Sequence, residues 1–267
     1  MGLTFCSLSS SSVFGNSFLV RGADGTTIMI DCGVRLRRLE ALLAEVGIAP
    51  AGIAGLFLSH EHTDHTIALR LRKPFAARHG IPVFAEHEFW RVWDRESAGD
   101  LPHALRRTIR PGEPVSIGSL RVRAIRKPHD TESSVGFLVS DGDERLAVLT
   151  DLGHVPASVE QELGAVHHFV FESNHDVNME RSSGRPWPLV QRVLGDYGHL
   201  SNEQCLAALM RLAGPQTRTV LLAHLSIDCN DPELARSVVC GGLAAAGRRC
   251  AIEVAAPNRP SGWLPRG

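Results

Sequence analysis

LFLSHEHTDH, residues 56–65, puts three histidines and an aspartate within six residues, directly after an apolar run. His60 and His62 are two apart, so on a helix they would point to nearly opposite sides. The stretch is not the HExxH helix of zinc proteases, because Asp64 stands where the second histidine would be. The remaining geometry is a strand over Gly55–Ser59 that ends in a tight loop and turns its side chains inward. His60, His62, Asp64 and His65 are more ligand-type side chains than one metal ion usually takes from one loop.

Outward from this loop, other apolar strands end in a ligand-type residue. AVLT ends in Asp151, VLLA in His224, VRAIRKP in His129, and FVF in Glu172, with Asn174, His175 and Asp176 just beyond. One such case means little. Repeated at the strand ends of one sandwich, they imply a rigid rim where side chains converge, which a metal site requires. The arithmetic fits two ions: His60, His62 and His129 for one, Asp64, His65 and His224 for the other, and Asp151 between them. Imidazole and carboxylate suit zinc, and also manganese or iron. Two such ions about 3.5–4 Å apart can generate a hydroxide at neutral pH and hold a phosphoryl or carbonyl oxygen.

His199 is separate. Ser201 and Gln204 form an S-x-x-Q capping box, so a helix starts just after His199. Free N–H groups and the dipole at a helix start attract anions. If it faces the metals, a histidine there could donate a hydrogen bond to a substrate phosphate or protonate a leaving group; if not, it is a surface-loop histidine. His79, His87, His103, His154, His167 and His168 show no partner pattern and read as structural. RLRK at 70–73 and LRRTIR at 105–110 read as solvated faces.

At 267 residues and net charge −1, the chain has ordinary globular composition and no strongly basic character. Its six cysteines are scattered without a CxxC, as free thiols in a reducing compartment would be. The first twenty residues lack a signal-peptide pattern, and no stretch is apolar enough to span a membrane, so the expected location is cytoplasmic. Strands are expected at 18–20, 26–30, 83–85, 115–117, 120–125, 135–140, 146–150, 169–171, 220–223 and 251–255. Helices are expected at 36–46, 67–79, around 89–93 and 189–194, and at 202–213 and 232–246. Residues 95–108 read as a surface loop. The organisation is α/β: two sheets with helices outside, in one domain over 1–256, followed by a loosely held Pro/Gly-rich tail, 257–267.

With these residues in hand, the chain resembles the metallo-β-lactamase superfamily. HEHTDH matches its HxHxDH signature. Asp151 in LTDLG resembles the bridging aspartate, His129 the third histidine of the first site, and His224 in LAHLS the last histidine. TDLGHV, ESNHD, GHLSN and LAHLS together resemble the YycJ/WalJ-type branch, which is similar to the superfamily's phosphodiesterases. The resemblance implies an αββα sandwich of two mixed sheets flanked by helices, with two divalent ions, zinc or manganese. It implies 5′-to-3′ exonuclease activity on DNA, with Asp64 and His199 in catalysis and a metal-bridging hydroxide as nucleophile. Glu172, Asn174, His175 and Ser201 would support the site or touch substrate. Some positions depart from the branch: the Ser-rich turn of SSSSVFGN lacks the glycine usual within it, TIALRLRK lacks the glycine common after the metal motif, and Cys229 stands where a polar amide is more usual. The alternatives are a small phosphodiester as substrate, or an amide or thioester on the same fold. A redox di-iron protein is disfavoured by His62, and a decayed binding protein by the complete ligand set.

Overall fold

The computed structural model describes residues 2–266. The first half runs β1 (Thr4–Ser9), β2 (Ser17–Arg21), β3 (Thr27–Ile30), α1 (Leu36–Glu45), β4 (Ile53–Phe57), α2 (Thr63–Thr66), α3 (Phe75–His79), β5 (Val83–Glu86), α4 (His87–Arg95) and β6 (Arg106–Ile109). The second runs β7 (Pro114–Ile117), β8 (Leu120–Arg126), β9 (Val135–Asp141), β10 (Glu144–Leu149), α5 (Ala157–Leu163), β11 (His168–Glu172), α6 (Val177–Arg181), α7 (Trp187–Leu194), α8 (Asn202–Leu212), β12 (Thr219–Ala223), α9 (Pro232–Ala245) and β13 (Ala251–Val254).

β1–β6 form one sheet in sequence order and β7–β13 form the other. Each begins with antiparallel hairpins and ends with parallel strands, so both sheets are mixed. Strand periodicity sorts the side chains into three apolar layers. Phe18, Val20, Ile28, Ile30, Val170 and Leu221 point between the sheets. Leu19 and Met29 face α1, α3 and α4 on one outside, and Phe169, Phe171, Val220 and Leu222 face α5, α8 and α9 on the other. Strands buried on both faces read as continuous apolar runs, which is why they stood out in the sequence.

Three expectations need correction. Residues 67–79 are not one helix: α2 stops at Thr66 and α3 starts after Pro74. Proline lacks the N–H and pushes Lys73 out of helical backbone. The stretch 95–108 is not all loop, because Arg106–Ile109 adds β6 to the open edge; its outward face is polar, so no apolar alternation marks it. Within the tail, the described residues around Trp263 and Leu264 are not loosely held. Leu264 exchanges backbone hydrogen bonds with Phe5 at 2.7 and 2.8 Å and is buried, and the Arg21 guanidinium lies 4.1 Å over the Trp263 ring.

His168, at the start of β11, is fully buried beside Phe5, with neither ring nitrogen hydrogen-bonded among the described residues. Burial, aided by Arg218, pushes its pKa down to about 4. An unfolded histidine titrates near 6.5, so between about 6.5 and 4 the unfolded chain takes up a proton that the folded one refuses. Folding stability from this site is therefore present at neutral pH and lost as pH falls through that window. Urea titrations across pH 7 to 4 should show His168→Phe losing less stability than wild type, the difference growing by at most about 1.4 kcal/mol per pH unit.

Candidate metal centre

The polar residues at the strand ends meet on one rim. β4 delivers Ser59 and His60. The single turn of α2 then spaces His62, Asp64 and His65, closed by Thr66 Oγ1 donating to the His62 carbonyl at 2.9 Å. The turn is fixed from outside: the Asn16 N–H donates to the Asp64 carbonyl and the Cys32 N–H to that of His65, both at 2.8 Å. Gly33 presses on the same turn. A Cβ there would lie 1.6 Å from the Asp64 carbonyl oxygen, so the approach requires glycine. Asp31, Asp151 and His224, each just past a strand, adopt left-handed backbone with φ of 60°, 59° and 57°. Non-glycine residues in this conformation are uncommon and strained, and they cluster at functional sites.

His60, His62 and His129 bring ligand atoms within 4.8 Å of one another, and so do Asp64, His65, Asp151 and His224. The two sets adjoin: Asp151 Oδ2 lies 3.2 Å from His65 Nε2, and its Oδ1 lies 3.4 Å from His224 Nε2 and 4.0 Å from His129 Nε2. His60 Nε2, His129 Nε2, His224 Nε2 and Asp151 Oδ2 are buried without a hydrogen-bond partner among the described residues. Buried polar atoms left unpaired are expensive, and these lone pairs converge. The donor set therefore fits divalent cations.

Electrostatics agrees. Burial, with the charge of His65, holds His60 well below the ordinary imidazole range; burial, with Lys127, pushes His129 down to about 3. Both are neutral and ready to ligate. Burial opposes charge on His65 and His224 too, but carboxylates outweigh it. Asp151, Asp31 and Asp64 raise His65 well above its ordinary value, and Asp151, Asp64 and Glu172 raise His224 to about 10. Without metal, the rim's negative charge is balanced by protons where a cation would sit, and metal binding displaces such protons.

Carboxylates and carbonyls behind the rim hold the rings. Asp31 accepts from His65 Nδ1, Ser59 Oγ and Ser59 N, each at 2.8 Å. His129 Nδ1 faces the carbonyls of Tyr197 and Gly198 at 3.1 and 3.3 Å. Glu172, fully buried, accepts from His224 Nδ1 at 2.8 Å, His199 Nδ1 at 2.9 Å, Leu152 N at 3.0 Å and Leu200 N at 3.1 Å. Burial would raise its pKa, but His199 and His224 hold it below the carboxylate range.

His199 lies between the two ligand sets, its ring centroid 5.3 Å from His129 and 5.1 Å from His224. The helix start beside it carries the expected Ser201–Gln204 capping box, but the cap takes up N–H groups that an anion would need. The Asn202 N–H is taken by the His175 carbonyl and the Gln204 N–H by Ser201 Oγ, with Glu203 acidic in the first turn. That end of α8 is capped by its own chain, so an anion contact falls to the imidazole. Ser201 serves the cap. Asn174 donates Nδ2 to the His224 carbonyl at 2.7 Å, and His175 is buried behind α8, bridged to Ser201.

Sequence reasoning missed Asn16, Asp31, Ser59 and Lys127. Asn16 Nδ2 lies 3.1 Å from His65 Nε2 and 3.3 Å from Asp64 Oδ2. Lys127, buried, donates to the Asp151 carbonyl at 2.6 Å and to Ser134 Oγ at 2.8 Å. Signals existed: Asp31 ends the strand TIMI as the other rim residues end theirs, and Lys127 is one of only two lysines.

A family model described as a beta-lactamase superfamily domain matches residues 26–225. The chain is 32% identical to exodeoxyribonuclease YycJ of Bacillus anthracis over 90% of this chain and 88% of that one. It is 28% identical to exodeoxyribonuclease WalJ of Streptococcus pneumoniae over 92% and 90%. The solved metallo-β-lactamase fold protein YhfI from Bacillus subtilis superposes with a TM-score of 0.70 at 14% identity, over 97% of this chain and 99% of that one.

Asp31→Asn tests the support. The amide presents N–H to His65 Nδ1, favouring the tautomer whose Nε2 carries the proton and cannot ligate. Divalent-metal affinity, measured by competition with a chelating dye, should fall roughly 10–100-fold; unchanged affinity would show that His65 needs no such partner.

Proposed function

The chain belongs to the metallo-β-lactamase superfamily and to its YycJ/WalJ-type branch, and from that premise we propose that this metal-dependent hydrolase is a phosphodiesterase that removes nucleotides from the 5′ end of DNA. One observation carries the choice of phosphodiester: His199 stands outside both ligand sets, anchored on buried Glu172 and facing the rim. An amide or thioester hydrolase has no need of that second anchored imidazole. The names of the relatives support DNA as substrate.

His60, His62 and His129 would hold one divalent ion and Asp64, His65 and His224 a second, zinc or manganese, with Asp151 reaching both. When bound, such ions acidify a water for attack on phosphorus and draw charge off the phosphoryl oxygens. The chain's residues do the rest. Glu172 fixes His199 with Nδ1–H inward, leaving Nε2 toward the scissile phosphate. There His199 donates a proton or a hydrogen bond to the departing oxygen. Glu172 also holds His224 through the same Oε1, so the general acid and the second ligand set share one anchor. Asp64 reads as ligand and as orienter of the attacking water. Lys127 donates to the Asp151 carbonyl and steadies that turn from below. All six cysteines are free, and among the described residues no helix is long and apolar enough to cross a membrane; the thiols support a cytoplasmic site of action.

The test is a DNA strand labelled along its length, with or without a 5′-phosphate, incubated with manganese or zinc. Wild type should release nucleotides stepwise from the 5′ end. His199→Ala should cut the rate by about 10²–10⁴ while metal content by mass spectrometry stays at wild-type level. Intact DNA, with cleavage of an aryl phosphodiester by the same preparation, would reassign the substrate to a small phosphodiester.

A further inference from the structure

A groove of about 980 Å³ runs beside the start of α1 and is lined by Arg35, Arg37, Arg38, Arg72, Lys73 and Arg78, with two leucines and no acid. Arg38 is neutralised by Glu45 at 2.7 Å and fixed on Asn258. The other five cations form no ion pair among the described residues. Glu40, the other acid of α1, faces His79 at 3.9 Å. Arg35 is the N-cap of α1, and Arg37 and Arg38 follow in its first turn, which holds no acid. Cations are disfavoured at that end of a helix, and like charges crowded together repel. In a chain of net charge −1, five exposed cations side by side without an acidic partner make a local positive field that attracts anions. The RLRK segment also divides: Arg70 is bound to the Glu61 carbonyl and to Glu96, while Arg72 and Lys73 line the groove.

The groove does not end blind. It shares Arg35 and Arg38 with a second hollow of about 590 Å³ that is also lined by Thr63 and by Asp64, one of the candidate metal ligands. Val13 and Phe14, in the loop between β1 and β2, line that hollow and are 61% and 45% exposed. An exposed aromatic ring beside a cationic channel is the usual arrangement for single-stranded nucleic acid, with bases stacking and phosphates tracking the charges.

We infer that a single-stranded polynucleotide runs from the metal centre past Phe14 into the groove of Arg35, Arg37, Arg72, Lys73 and Arg78, which holds the phosphates of the part not yet cleaved. The proposal rests on the phosphodiesterase reading above and adds where the strand lies. Cations supplied by two separate segments, 35–38 and 72–78, suit a run of phosphates, whereas a small phosphodiester would occupy only the hollow at Asp64.

The test compares kcat/KM for a DNA strand of about twenty nucleotides with that for a dinucleotide of the same 5′ sequence. The triple variant Arg37→Ala, Arg72→Ala, Lys73→Ala is run beside a control that removes three cations elsewhere, Arg110→Ala, Arg121→Ala, Arg236→Ala. The wild type and the control should favour the long strand, and the groove variant should lose that preference by tenfold or more, chiefly through KM. Phe14→Ala should weaken binding of the long strand. The slope of log affinity against log salt for that strand should flatten by about 2 in the groove variant, three phosphate contacts at roughly 0.7 each. A groove variant that keeps the full preference would overturn the track and leave the phosphodiesterase reading intact. So would a wild type that shows no preference for length. Binding of phosphatidylglycerol vesicles in preference to the strand, lost in the groove variant, would assign the groove to a membrane surface instead. Cleavage of neither substrate by metal-loaded wild type would overturn the reading on which the track rests.

Discussion

Four carboxylates, Asp31, Asp64, Asp151 and Glu172, are gathered on one largely buried rim. Buried negative charge is tolerated only when paired. Here the compensation comes in layers. Lys127 is buried beneath Asp151, and in the metal-free protein His65 and His224 carry protons. The unpaired nitrogens of neutral His60 and His129 leave room for more positive charge than the chain supplies. The site is thus built as an electrostatic deficit, which divalent cations fill.

That deficit is held by the sandwich. The first sheet contributes Asp31 and the His60–His65 loop; the second contributes His129, Asp151, Glu172 and His224. The apolar layer between the sheets, with Phe18, Phe57 and Phe137 in it, locks their relative position, and Val135 N–H donates across to the Ser59 carbonyl at 3.0 Å. Rigid elements deliver ligands with the precision that a metal site needs. Three left-handed residues turn side chains back onto the rim at strand ends, so backbone strain is spent where chemistry is done.

The His60–His65 loop was legible because its ligands are local in sequence. His129, Asp151 and His224 had only a strand-end position to mark them, and the resemblance to a family assembled the set. The two sheets were legible because strands buried on both faces print unbroken apolar runs. β6 was not, since an edge strand of Arg106, Arg107 and Thr108 prints none. Asn16 reaches the site through loop closure over a long separation, which no local pattern records; Asp31 and Ser59 carry local signals, a strand end and a place next to His60, but their hold on His65 shows only in the fold. Glu172 was singled out, but its double hold on His199 and His224 is a fact of three dimensions. RLRK at 70–73 read as a solvated face until the fold set Arg72 and Lys73 beside Arg35 and Arg37.

The most direct measurement is anomalous diffraction from crystals of the manganese-loaded protein holding a phosphorothioate dinucleotide. The account requires two peaks, about 3.5–4 Å apart as in two-metal sites. One would be among His60, His62 and His129, and the other among Asp64, His65 and His224, with the phosphorothioate between them and His199. A single peak away from these residues, or a phosphorothioate seated out of reach of His199, would contradict it.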